Sequence, residues 1–367
     1  MKWVFYVDMD AFYVSCELRG RPDLVGRATI VGPDPKRGPT RGVVLSASYE
    51  ARKFGVRSAM PVSQADRLCP DAVWIPADFP KYEQASRDVL ARLRGFASDV
   101  RAHSIDEAAL TLEAEGVVEA ERLGRAIQLD LVQATGLPST IGVGPNRLVA
   151  KIATDQAKPA GVRVVSPEGV ATFLAPLPVR VVPGVGPKTG ERLKSAGIET
   201  LGQLAAAPRG KLQEVLGGWS DELRRLARGE YADPPEEDTG PRSRSAEETF
   251  EEDLTRIEAL EEVARRLARH LASALAEERF RYQTVTVALR WADFSRVQRS
   301  RTLPSAREGP GDLEGTAVRL LHELWNLELG GRHRPARMLS VGAERLIPAR
   351  LRSIPLEQFD PAQGTIK

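Results

Sequence analysis

The sequence predicts an α+β fold in several modules, and three observations carry that expectation. Up to about residue 166, β-branched and aromatic runs alternate with amphipathic stretches in the order β-β-α-β-α-β after an opening strand, the pattern of an antiparallel or mixed sheet with helices on one face. From Pro167 to Tyr231 the pattern changes to short helices punctuated by Gly and Pro. A stretch at 232–245, acidic and proline-stiffened and then basic, reads as a linker, and a second β-α-β-β-α-β succession follows it.

Composition narrows the setting. A chain of 367 residues with 42% apolar content has material for more than one core. The net charge of +2 is nearly neutral, so any electrostatic footprint for nucleic acid has to be local. Cys16 and Cys69 lie far apart, each inside an apolar helical pattern, and read as small buried residues in a reducing interior, not as a disulfide or metal framework. The N-terminus has no basic-then-apolar leader, and no apolar run approaches the roughly 18 residues of a membrane span. A soluble cytoplasmic protein is expected.

Taken in order, residues 3–7 form a strand that runs into Asp8-Met9-Asp10. Residues 11–19 are helical with Phe12, Ser15 and Cys16 on one face, which places Phe12 and Tyr13 one turn from the acids. Runs at 28–31 and 43–47 form an antiparallel pair, and the second leads into a short helix ending at Gly55. Along it Ser46, Tyr49 and Arg52 recur every three residues. A hydroxyl, a phenol and a guanidinium near a helix start suit a triphosphate, although a solvated helix face has the same spacing. Met60-Pro61 opens a helix with Val62, Ala65 and Leu68 inward, and 73–75 is a strand. A helix at 82–96 and a strand at 100–104 follow, then a helix at 117–134, a strand at 140–143, a helix opened by Pro145 and a strand at 162–165. In the last module the expected elements are a strand at 245–250, a helix at 257–278, strands at 284–291 and 297–303, a helix at 313–327 and a strand at 336–343. Beyond Pro348 no periodicity is visible.

Ser104-Ile105-Asp106-Glu107 stands where one strand run ends and the next, at 109–112, begins, so two adjacent acids ride on the bend of a hairpin. With that hairpin beside the first strand, Asp8, Asp106 and Glu107 converge. Clustered carboxylates repel one another, and a hard divalent cation such as Mg²⁺ relieves the repulsion. Phosphoryl transfer is the chemistry such a site serves, although Asp-x-Asp and Asp-Glu also suit surface turns. Lys158, held extended before Pro159, is either a phosphate clamp or an ordinary surface lysine. Gly184 and Gly186 precede Lys188 in a Gly-x-Gly turn between short helices, a helix-hairpin-helix signature whose backbone amides receive DNA phosphates, with a plain αα-corner as the alternative. Arg290, Arg296, Arg299 and Arg301 cluster on or beside the middle strands of the last module, and Arg337 flanks its final strand. They predict a basic sheet face, or else an exposed sheet kept soluble by arginine.

These residues together resemble the Y-family DNA polymerases, close to the DinB branch. The resemblance is carried by Asp8-Met9-Asp10-Ala11-Phe12-Tyr13, Ser48-Tyr49-Glu50-Ala51-Arg52-Lys53-Phe54-Gly55-Val56, Ser104-Ile105-Asp106-Glu107-Ala108, Gly142-Val143-Gly144-Pro145-Asn146-Arg147, Ala150-Lys151-Ile152-Ala153, Ala157-Lys158-Pro159 and Pro183-Gly184-Val185-Gly186. Order and spacing agree up to about residue 240, and the last module agrees in topology. The resemblance implies a palm in two parts (1–18 and 77–166), fingers (19–76), a helix-hairpin-helix thumb (167–231), a linker (232–245), a little finger (246–347) and a tail (348–367). It implies two Mg²⁺, with Mn²⁺ as a substitute, on Asp8, Asp106, Glu107 and the Met9 carbonyl, and triphosphate contacts from Phe12, Tyr13, Ser46, Tyr49, Arg52 and Lys158. Tyr13 matches the steric gate. Primer-template DNA and deoxynucleoside triphosphates are the implied partners of a monomeric, nucleoid-associated enzyme that copies past damaged bases with low fidelity and low processivity. Ala11 and Ser46 depart from the family pattern, which puts lesion preference in doubt. Leu356-Glu357-Gln358-Phe359-Asp360 lacks the apolar pair of a sliding-clamp peptide, so recruitment to a clamp stays open. A non-catalytic scaffold is disfavoured by the retained carboxylates, and a cyclase on a similar palm by the helix-hairpin-helix and the arginine-lined module.

Overall fold

A computed structural model describes residues 1–38, 41–233, 240–327 and 334–349, with short strands at 359–360 and 365–366. The chain divides into two compact units, 1–235 and 236–367. The centre of the expected linker and most of the tail, including Leu356–Gln358, lie outside the described residues.

The first unit is built on β1 (Lys2–Met9), where Trp3, Phe5, Val7 and Met9 alternate with Val4, Tyr6 and Asp8. Helix α1 (Phe12–Leu18) follows across Ala11, whose left-handed backbone turns the chain out of the strand. Strands β2 (Thr29–Val31) and β3 (Ser46–Ala47) pair antiparallel as expected. Helices α2 (Tyr49–Lys53) and α3 (Val62–Leu68) follow, and β4 (Val73–Ile75) joins β2 in parallel to complete a small sheet. Leu68, expected inward, is 39% exposed because Cys69, one residue on, takes the buried position.

Next come α4 (Phe79–Arg94), β5 (Val100–Ala102), β6 (Glu107–Glu113), α5 (Val117–Thr135), β7 (Ser139–Gly144), α6 (Arg147–Ala157) and β8 (Val162–Val164). They form a mixed sheet in the order β5-β6-β1-β7-β8, with β1 in the middle and antiparallel to both neighbours. Helix α6 is capped by Asn146, whose side chain accepts from Val149 N–H, so it starts after the Pro145 expected to open it.

Helices occupy both faces of this sheet, which corrects the one-face expectation. Phe5, Val7, Leu110, Ile141 and Val143 share a core with Tyr82, Leu93, Ile127 and Leu131 of α4 and α5. The alternate residues Tyr6 and Ala109 pack instead against Ala150 of α6. Beyond α6 lie short helices α7 (Val170–Leu174), α8 (Pro187–Ser195), α9 (Leu201–Ala206), α10 (Arg209–Leu216) and α11 (Ser220–Ala227). Their core includes Leu148, Val149 and Ile152 of α6, so that helix is shared between sheet and helical cluster.

In the second unit β9 (Ser243–Leu254), α12 (Ile257–Glu277), β10 (Phe280–Trp291), β11 (Arg296–Arg307), α13 (Pro310–Leu327) and β12 (Ala336–Glu344) give the sheet order β11-β10-β12-β9. Ser243–Ser245, expected in the linker, already pair with β12. Val285, Val287, Leu289 and Trp291 join the core formed with α12 and α13. That alternation divides the expected single basic face. Arg299 and Arg301 stand opposite Val287 and Val285 and therefore lie on the helix side, where Arg301 pairs with Glu323 of α13 at 2.6 Å. Arg290 and Arg296 face each other on the opposite side, and Arg337 sits at a bulge, its guanidinium over the Phe294 ring. Among the described residues no helix is long and apolar enough to cross a membrane.

Candidate active site

Strand register assembles the acids. Asp8 lies directly opposite Glu107, and Tyr6 opposite Ala109, so Asp8, Glu107 and Tyr6 share the α6 side of the sheet. Met9 N–H donates to the Asp106 carbonyl at 2.9 Å, which ties the hairpin bend to the end of β1. Asp106 accepts from the Ser104 hydroxyl at 2.6 Å.

Two ammonium groups reach this pair. Lys151 of α6 approaches Glu107 at 2.6 Å, Asp8 at 3.2 Å and Asp155 at 2.9 Å. Lys158, which lies extended after α6, donates to Asp8 at 2.6 Å. The Tyr6 phenol donates to the second oxygen of Glu107 at 2.8 Å. Burial pushes the Asp8 carboxyl up to about 6, against the pull of Lys158 and Lys151. Burial acts on Glu107 in the same sense, but hydrogen bonds from the Lys151 ammonium and the Tyr6 hydroxyl, with the charge of Lys151, outweigh it and hold that carboxyl at about 2.

Among the described residues no group of three or more Asp, Glu, His or Cys side chains is already gathered around one point as a metal site. The donor set nevertheless fits a hard divalent cation. Carboxylate oxygens of Asp8, Asp106 and Glu107 and the carbonyl of Met9 are the oxygen ligands such ions take, and the two ammonium groups stand in as the positive charge that the buried acids require.

The other expected residues divide into those near this centre and those away from it. Tyr13 is half-buried, its ring edge-on to Tyr82 at 4.9 Å. Burial, followed by the charge of nearby Asp106, raises its phenol pKa. Phe12 is a core residue at 2% exposure, so only its backbone is available to a ligand. Arg52 lies over the Tyr49 ring at 4.8 Å and donates to the Ala47 carbonyl at 3.0 Å, while Ser46 is buried on β3 and not on their helix face. Gly184 takes a positive φ of 93°, Gly186 caps α8 without a side-chain partner for the helix amides, and Lys188 is exposed in the first turn. Arg290, Arg296, Arg299, Arg301 and Arg337 belong to the second unit.

Sequence reasoning gave no role to Tyr6, Asp10, Thr140 or Lys151. Tyr6 could have been found by the strand period, two residues before Asp8; the others depend on tertiary placement. A cavity of about 340 Å³ opens beside Glu107, with Tyr6, His103, Arg147, Lys151 and Tyr231 on its wall. The Tyr6 and His103 rings stack there, and Arg147 bonds Tyr231 and pairs with Asp233 at 2.5 Å.

Paired acids at the end of a central strand, with lysines at hand for anionic oxygens, define a nucleotidyl-transfer enzyme, and known proteins give it a family. The model described as the impB/mucB/samB family matches residues 7–155, that of its C-terminal domain matches 241–356, and an IMS family HHH motif matches 167–198. A DNA polymerase IV of Methanoculleus marisnigri is 41% identical over 97% of this chain and 98% of its own. One of Xanthomonas campestris is 40% identical over 86% of each chain. Among solved structures, a Y-family Dbh–Dpo4 chimera shares 26% identity at a TM-score of 0.83, and DinB from Sulfolobus solfataricus 25% at 0.59, each comparison covering 94% of this chain and 99% of the other. The chain belongs to the Y family of DNA polymerases, in the DinB branch. It is a DNA-directed DNA polymerase, and its α+β architecture is that of a palm, small fingers, a helix-hairpin-helix thumb and a little finger.

Proposed function

We propose that this polymerase extends a primer 3′-hydroxyl by two-metal phosphoryl transfer and copies damaged templates with low fidelity and low processivity. The observation that carries the reading is the register that sets Asp8 opposite Glu107, with Asp106 tied to the end of β1. Asp8, Asp106, Glu107 and the Met9 carbonyl would hold two Mg²⁺, or Mn²⁺ in their place. When bound, these ions lower the pKa of the primer hydroxyl and neutralise charge on the triphosphate and departing pyrophosphate.

The chain's own residues account for the rest. Lys151 already touches Asp155 one turn along α6, so it can leave Asp8 and Glu107 without losing a carboxylate partner. Lys158 can pass from Asp8 to a phosphate oxygen. The Tyr6 phenol keeps one oxygen of Glu107 oriented. Ser46, Tyr49, Arg52 and the backbone at Phe12 line the triphosphate side, and Tyr13 is the steric gate. In this reading the palm is 1–18 and 77–166, the fingers 19–76, the thumb 167–231, the linker 232–245, the little finger 246–347 and the tail 348–367. Gly184, Gly186 and Lys188 meet a duplex phosphate at the start of α8, and in the second unit Arg290 and Arg296, on the sheet face away from the helices, are the arginines that meet phosphates, whereas Arg301, on the helix side, is engaged with Glu323. A monomer that works on primer-template DNA at the nucleoid is the corresponding cellular form.

Asp106→Ala tests the assignment. Extension is expected to fall by at least about a thousandfold while primer-template affinity stays within several-fold, because this carboxylate serves the chemistry and not the duplex. Extension at the normal rate by a folded variant rejects the metal assignment.

A further inference from the structure

We infer that Asp10 is a positioning residue for the incoming nucleotide, and the inference rests on the reading of Tyr49 and Lys158 as triphosphate contacts. Asp10 stands just beyond β1 and is 2% exposed. Its carboxylate gathers donors from three separated parts of the chain. The Tyr49 phenol donates to Oδ1 at 3.0 Å, the Thr140 hydroxyl lies 2.9 and 3.0 Å from the two oxygens, and Ala160 N–H donates to Oδ2 at 2.9 Å. All three donors are neutral, so dipoles hold this buried carboxylate.

Each donor leads to one side of the site. Tyr49 carries the Arg52 guanidinium over its ring. Thr140 pairs with Asp8 across β1 and β7. Ala160 follows Lys158 by two residues, and Lys158 reaches Asp8. Asp10 thus fixes the fingers helix and the lysine loop to the same strand that presents the catalytic acid.

A phenol has one hydrogen to give. In this structure the Tyr49 hydrogen is directed to Asp10, so it cannot be donated to a phosphate at the same time. When Tyr49 turns to a nucleotide, Thr140 and Ala160 N–H remain on Asp10, and the buried charge is not left without donors. Asp10 holds the phenol ready and can release it.

The test is single-nucleotide incorporation by the full chain, read as separate kcat and KM values with melting temperatures alongside. Asp10→Ala is expected to raise the nucleotide KM about tenfold with kcat held within about threefold, the loss expected of a misplaced hydrogen-bonding group. Asp10→Asn is expected to recover most of that loss. Its Oδ1 can accept from Ala160 N–H while its Nδ2 donates to the Tyr49 and Thr140 oxygens, which are able to accept. If Asp10→Ala does not fold, Asp10→Ser, which keeps an acceptor but falls short of Tyr49, is expected to show the same KM-only loss. Tyr49→Phe and Lys158→Ala are measured in parallel. An unmoved KM in both means that the triphosphate reading fails and the inference falls with it. A raised KM in those two, with the Asp10 variants unmoved in KM or reduced in kcat alone, overturns the role of Asp10 and leaves the triphosphate reading standing.

Discussion

Tyr13 is held from two sides, edge-on against Tyr82 and tilted against Phe12 at 5.5 Å, with Asp106 near its phenol. If Tyr13 is the steric gate proposed above, a ring so braced does not yield to an added hydroxyl on the sugar, and discrimination comes from steric overlap in the bound transition state. Tyr13→Ala is expected to raise the ribonucleotide to deoxyribonucleotide incorporation ratio by about a hundredfold, on the order of 2–3 kcal/mol, mainly through the ribonucleotide kcat/KM. An unchanged ratio with a lowered melting temperature would make Tyr13 a packing residue. At this scale the acids were legible because Asp106 and Glu107 abut at a hairpin bend and Asp8 ends a strand. Lys151 and Asp10 were not, since the partners of Lys151 depend on how α6 rotates against the sheet and those of Asp10 come from three distant segments.

Among the elements, α6 is the informative one. Strands β6 and β7 are both antiparallel to β1, β8 is parallel to β7, and the order β6-β1-β7-β8 advances in one direction. The connections through α5 and α6 therefore step the same way across the sheet yet lie on opposite faces, so the two crossovers have opposite hands. The right-handed rule for such crossovers would put both helices on one face, so the order of elements alone does not reveal that α6 lies on the other. Gly142 permits the close seating of α6, since a Cβ there would collide with the Ala150 carbonyl and the Thr154 N–H. Gly142→Ala is expected to cost about 3 kcal/mol in urea unfolding and to lower activity further, because α6 carries Lys151 and leads to Lys158. A loss below about 0.5 kcal/mol would show that the helix can move aside without consequence. The β strands of the second unit were legible from apolar alternation. The division of their arginines between faces was not, because which side of β11 a residue occupies is set by its partner on β10.

On the scale of the whole chain, the second unit carries its own core and its own charge pattern. Arg301 is engaged with Glu323, whereas Arg290 and Arg296 lie on the side away from the helices. In the full chain, Arg290→Ala with Arg296→Ala is expected to flatten the salt dependence of duplex binding by about 0.9 per lost phosphate contact, and Arg301→Ala to change it little. Fluorescence anisotropy across a salt series measures both, and equal slopes for all variants would remove these arginines from the DNA contact. The two-part organisation was legible from the change of composition after Tyr231. The linker expected at 232–245 overlaps the first residues of β9, since Arg244 and its neighbours look like a basic tether until β12 is present to pair with them.

The place of β1 in its sheet also governs when the protein can fold. This strand precedes both of its partners, yet it needs β6 on one edge and β7 on the other. At ribosomal speed the delay before residues 107–144 have all been made is on the order of ten seconds. Throughout that interval Trp3, Phe5 and Val7 have no sheet to join, and an unpaired β-branched and aromatic segment is the kind that associates with others of its kind. The arrangement that brings Asp8 to Glu107 thus leaves the first strand of the nascent chain unpaired on one edge until β7 has been made.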